Sequence, residues 1–242
     1  MRALKLVSSL FALSILARAL GAQGGQSDAL ADGLVAGDYL RVGGGVISPI
    51  RASGSLRDWT RGTIASLAWE NWQEGSGGVG LVGFGIGADY SRLPLNEAQF
   101  NSDFTNQGAH PSSASASSAT EFAISTAVRF RIPVPLIMPS LEVGFGYMDF
   151  TPKTVHFVAP TGSGTANQLR RRGAAFTFGG GLDKHVADRF AVFAEALYSY
   201  GLTGLGHGIA TPGGTCVNSQ CDPLQNTAFG VVRGGLRARL GR

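Results

Sequence analysis

The sequence predicts an all-β protein, an eight-stranded antiparallel up-and-down transmembrane β-barrel. Three observations predict it. Apolar residues recur at every second position, which gives each segment one apolar face and one small or polar face. Eight such segments follow one another, each of roughly the ten residues that a tilted strand needs to cross a membrane. Their connections alternate between short and long, as expected where turns line one mouth of a barrel and loops the other.

The pattern is plainest in Val79–Ser91. Val82, Phe84, Ile86, Ala88 and Tyr90 share one face, and Gly83, Gly85, Gly87, Asp89 and Ser91 share the other. Composition points the same way. Only 15% of residues are charged, and the 36 glycines have no collagen-like period. No mature segment reaches the ~18 consecutive apolar residues of a membrane helix. The 242 residues suffice for one barrel domain.

Residues 1–22 read as a secretory signal. Arg2 and Lys5 make its positive start, Leu6–Leu16 its apolar core, and Ala19-Leu20-Gly21-Ala22 its cleavage site. Residues 23–37 are a periplasmic leader, and residues 38–242 form the barrel. The signal carries three of the 20 basic residues and no acidic one, so 17 basic residues face 16 acidic ones in the mature chain. That balance gives no support to nucleic-acid binding, which needs a clustered basic face.

The eight strands are expected at Asp38–Ser48, Thr63–Trp72, Val79–Ser91, Thr120–Ile132, Ser140–Phe150, Gly173–Lys184, Arg189–Tyr200 and Ala228–Leu240. The outward faces carry Val42, Leu67, Phe122, Val128, Phe145, Phe178, Val192 and Leu236, among others. Trp69, Trp72, Tyr90, Tyr147, Tyr198 and Tyr200 lie near strand ends, where aromatic girdles sit. These aromatics favour a membrane barrel over a lipocalin-like soluble barrel or a β-sandwich, whose Phe and Val stripes would instead form a core.

The inward faces carry Arg41, Arg129, Arg131, Arg233 and Arg237 with Glu70, Glu121, Glu142, Asp183 and Glu195. An eight-stranded barrel is just wide enough for side chains to fill, so these charges are expected to form a paired interior network. Neighbouring strands bring Arg41 to Glu70, Arg129 or Arg131 to Glu142, and Glu195 to Arg233. Inward glycines such as Gly43 and Gly83 leave room for the arginines. The network reads as a plug, with a gated narrow pore as the alternative.

Other motifs carry less. Gly78-Val-Gly80-Leu-Val-Gly83 spells a dinucleotide fingerprint but opens a strand, not a helix. Cys216 and Cys221 in the last long loop are expected to form a small disulfide in an oxidising compartment. His110, His156 and His207 fall in long loops and His185 in a turn. With no histidine on a strand, a rigidly mounted catalytic base is missing, and the chain is not expected to be an enzyme. No metal site and no cofactor is expected. The Ser- and Ala-rich run before Thr120 is expected to be mobile.

The whole mature chain resembles the small eight-stranded bacterial outer-membrane barrels of the OmpA/OmpX type. The resemblance lies in strand number, alternation and loop parity. It implies an outer-membrane position with periplasmic termini, assembly by the barrel-insertion machinery, and contact with outer-membrane lipid and lipopolysaccharide as a monomer. The ending Arg239-Leu240-Gly241-Arg242 departs from the terminal aromatic residue usual in such barrels. The expected role is structural or surface-interacting through the long outer loops. The alternative is a narrow channel or a carrier of a small hydrophobic ligand or lipid, its pocket lined by Leu81, Met148, Phe193 and Leu197.

Overall fold

The computed structural model describes residues 36–50, 54–74, 80–106, 110–132, 137–168, 170–187, 189–203 and 226–240. The signal, most of the leader, and Cys216, Cys221 and His207 lie outside the described residues. Eight strands close into a barrel: β1 (Gly37–Pro49), β2 (Gly62–Glu74), β3 (Leu81–Leu93), β5 (Ala119–Arg131), β6 (Met138–Thr151), β9 (Arg171–Ala187), β10 (Phe190–Leu202) and β11 (Thr227–Leu240). Each pairs antiparallel with its neighbours in chain order, and β11 returns to β1 with Gly43 opposite Gly235. Closure leaves no strand edge exposed.

Strict alternation decides which way each residue points. Every barrel strand leaves a large apolar residue exposed on the outer wall, such as Val42, Leu67, Ile86, Val128, Phe145, Phe178, Val192 and Leu236. The charged residues of the opposite parity are buried inside. Trp69, Tyr90 and Tyr147 stand on the outer wall as expected. Trp72 does not. It is 1% exposed and turns into the lumen. The reason is parity: Trp72 shares its face with Ser66, Ala68 and Glu70, and its position near the strand end does not override that.

Two of the long connections are folded where the sequence indicated only loops, one of them with a run expected to be mobile. The connection after β3 holds a helix, α1 (Glu97–Thr105), and a short strand, β4 (Ser113–Ser115). The connection after β6 holds the hairpin β7 (Val155–Ala159) and β8 (Gly162–Ala166). These strands form a separate sheet in the order β4-β7-β8. The Ser-rich run is therefore ordered at Ser113–Ser115, which pairs with β7, and Glu97 accepts the Ala114 N–H at 3.0 Å. The helix is capped by Asn96, whose side chain accepts the Gln99 N–H at 3.3 Å. Phe100, Phe104 and Phe157 pack between helix and sheet, with ring centroids 4.4 to 6.1 Å apart. That apolar cluster gives a polar, Ser-rich segment a surface to fold on.

The connection after β1 contributes a 3-10 turn, Gly54–Asp58. It bridges to the β3 connection through Trp59 and Leu95. The turn, α1 and the small sheet together form a cap over one end of the barrel.

Candidate functional site: the lumen and its cap

The lumen is stratified. At the short-turn end Tyr39, Trp72 and Leu81 pack together. At the cap end Ile47, Ile64, Met148, Phe150, Leu197 and Phe229 form an apolar plug with Leu56 and Trp59 of the cap. The charges lie between these layers.

Glu70 is the hub of the charged layer. Arg41 Nε is 3.0 Å from Glu70 Oε1, Arg237 Nε donates to Oε2 at 2.9 Å, and Arg129 also reaches Oε1. Trp72 Nε1 donates to Oε2 at 3.0 Å. Arg129 Nε donates to Glu142 at 2.7 Å. Arg41 and Arg233 both donate to Glu195. Arg131 pairs with Asp183 at 2.9 Å, not with Glu142, and Arg237 reaches Asp183 as well.

The five-to-five charge balance read from the sequence needs correcting. Asp89, on the same face of β3 as the inward glycines, takes Arg233 at 2.6 Å and makes a sixth inward acid. Glu121 accepts from the Ser91 hydroxyl at 2.7 Å and has no ion pair among the described residues. The signal for Asp89 was its parity with Gly83, Gly85 and Gly87.

The glycines seat rings beneath the guanidinium groups. A Cβ on Gly83 would lie 2.6 Å from the Trp72 ring, and one on Gly43 would lie 2.7 Å from Phe193. Arg131 lies 3.7 Å over Trp72, while Arg237 and Arg41 lie 4.8 and 5.4 Å from the Phe193 centroid. Each ring is thus a shelf between a glycine-made hollow and a guanidinium. Replacing Gly83 with alanine is expected to push Trp72 off its shelf and cost about 1–3 kcal/mol, as overpacking does. Urea unfolding in lipid vesicles measures this, and an unaltered midpoint would mean that Trp72 has room to move.

Leu81, Met148, Phe193 and Leu197 are all buried and inward, and neither of two lumen cavities among the described residues is lined by all four. A lumen cavity of about 20 Å³ lies among Ile64, Asp89, Glu121, Leu197 and Arg233. Another, of about 10 Å³, lies among Arg41, Ala68 and Arg129. Each is about the size of one water.

Two histidines lie on strands, contrary to their expected loop and turn positions. His156 is in β7, a strand inside the long connection that the apolar pattern did not show, and His185 is in β9, which runs past its expected end at Lys184. His185 Nε2 is buried with no hydrogen-bond partner among the described residues. Neither belongs to a group of metal-binding side chains among the described residues.

The cap is tied to itself by a polar relay. Gln168, between β8 and β9, donates from Nε2 to Asp58 at 2.5 Å and accepts from Trp59 Nε1 at 2.8 Å. On the outer rim, Arg170 makes a two-pronged contact with Asp149.

No protein-family model and no curated protein matches the chain. Solved structures similar to it are barrels at low identity. Neisserial surface protein A is 11% identical, with 84% of this chain and 97% of that chain covered and a TM-score of 0.45. A major outer membrane protein from Thermus thermophilus is 11% identical, with 84% and 99% covered and a TM-score of 0.45. Ail, the attachment invasion locus protein of Yersinia pestis, solved with the heparin analogue sucrose octasulfate, is 11% identical, with 83% and 99% covered and a TM-score of 0.41. The chain itself is an eight-stranded antiparallel barrel, closed by pairing of its first and last barrel strands.

Proposed function

We propose that the chain is an integral outer-membrane protein with a sealed lumen, whose folded cap carries a structural or surface-interaction role. The observation that carries this reading is the reversal of faces: apolar residues outside on all eight barrel strands, paired charges inside. Soluble proteins rarely expose contiguous apolar patches beyond a few hundred Å². A belt that encircles the whole barrel suits hydrocarbon and not water.

The termini are proposed to be periplasmic, which is supported by the ends of β1 and β11 lying at the short-turn end, away from the long connections. The partners are outer-membrane lipid, lipopolysaccharide and the barrel-assembly machinery, with the barrel a monomer. Arg92 supports the lipopolysaccharide contact. It stands on the outer wall near the cap, 5.9 Å over the Tyr90 ring, where an anionic headgroup would meet it. The filled lumen favours a plug over a channel or carrier. The chain is proposed to have no enzymatic activity.

Membrane fractionation followed by gel mobility with and without boiling tests the reading. A heat-modifiable band in the outer-membrane fraction is the expected result. A soluble periplasmic protein of constant mobility would overturn it and make the apolar faces something other than a lipid contact.

A further inference from the structure

One buried carboxylate ties two connections of the cap to each other. Asp58 ends the 3-10 turn and is 2% exposed. Its Oδ2 accepts from Gln168, which in turn accepts from Trp59. This relay joins the connection after β1 to the one after β8. The backbone carbonyl of Asp58 also accepts the Asn96 N–H at 2.6 Å, which ties the turn to the start of α1.

The other carboxylate oxygen, Oδ1, is buried with no hydrogen-bond partner among the described residues. Among the described residues, the charged groups acting on Asp58 are Asp103 of α1 and Arg57 of its own turn. Arg57 is half exposed and lies 3.9 Å from Asp103. An ionised Asp58 is therefore a buried charge with one oxygen bare among the described residues, and the Asp103 carboxylate repels it. A proton on it removes the repulsion and leaves the Gln168 bond in place.

We propose that Asp58 is a proton-operated latch of the cap: protonated, it holds the 3-10 turn against Gln168 and α1, and ionised, it releases the turn. The inference rests on the cap alone and stands whether or not the barrel lies in a membrane.

Burial, and after it the Asp103 carboxylate, push Asp58 up from 3.8 to about 7, against the pull of Gln168 and Arg57. In the released turn the carboxyl returns to its ordinary range. Between these two values the latched form holds a proton that the released form lacks. Release is thus favoured as pH rises through that window, by at most about tenfold per pH unit, and gains nothing more above it.

Hydrogen exchange on the full chain in detergent micelles, from about pH 5 to about pH 8 and corrected for intrinsic rates, reads this directly. The reporters are the amides of Thr60 and Asn96, bonded to Pro94 and Asp58. Their opening is expected to rise by up to about tenfold per pH unit to near pH 7 and then level off, with the barrel amides unchanged. Asp58→Asn, which is neutral and keeps an acceptor for Gln168, is expected to remove the rise and keep the turn latched. Asp103→Asn is expected to move the midpoint to lower pH. Opening independent of pH in the unaltered chain, or an undiminished rise in Asp58→Asn, would overturn the latch. If Asp58→Asn does not fold, an unmoved midpoint in Asp103→Asn overturns it instead.

Discussion

Glu70→Ala is expected to destabilise the barrel by about 3–5 kcal/mol, the range for breaking a buried ion pair by removing one partner. Three guanidinium groups and the Trp72 indole converge on this one carboxylate. Each arginine keeps a second acid: Glu195 for Arg41, Glu142 for Arg129 and Asp183 for Arg237. Those acids remain, but the one carboxylate that all three arginines share is lost. Counting charges over the whole lumen does not rescue the variant, because Glu121, the acid without an ion pair, is engaged with Ser91. Glu142→Ala removes a carboxylate whose one salt bridge is to Arg129, and is expected to cost less, about 1.5–3 kcal/mol. Urea unfolding of both variants in lipid vesicles gives the comparison. Equal losses would mean that the network distributes its charge and has no hub. No loss in either would mean that water replaces the missing carboxylate.

Phe145→Arg is expected to cost about 2–4 kcal/mol in a bilayer, the range for a cation on the lipid face near mid-depth. Phe145 is 54% exposed on the outer wall, near the middle of β6, and packs against Phe176 with ring centroids 5.2 Å apart. In a water-exposed barrel the same change would fall within about 0.5 kcal/mol, as surface substitutions do. Unfolding in vesicles and the yield of heat-modifiable protein both read the difference. An arginine tolerated here would place the outer wall in water, and the apolar belt would need another explanation.

The barrel was legible because each strand obeys one rule over 13 or more residues, and a slip of one residue would invert its faces. Parity alone put Arg41, Arg129 and Glu195 on the inner face. It also carried Trp72, which strand-end reasoning placed on the outer girdle, and Asp89, which shares the inward face but was left out of the charge balance. Partners across the lumen were not legible. Arg41 with Glu195 and Arg131 with Asp183 join strands that are not neighbours, so register between adjacent strands says nothing of them.

The cap was hidden for a different reason. Ser113–Ser115 is too short and polar to show alternation, and it is a strand only because Val155–Ala159 lies beside it. The helix did leave a mark, Asn96 followed three residues on by Gln99, the pattern of a capped helix start. Asp58 and Gln168 lie 110 positions apart, and only the folded cap brings them together.

The seam between the first and last barrel strands sets Arg41 directly opposite Arg237. Like charges facing each other across paired strands repel, so this seam taken alone resists zipping. Glu70, from the second barrel strand, touches both arginines and reverses the sign of the encounter. A slip of β2 by one residue would turn Glu70 to the outer wall. The two arginines of the seam would then face each other with, among the described residues, only Glu195 and Asp183 beside them. Correct closure of the ring is thereby coupled to the correct register of its second strand.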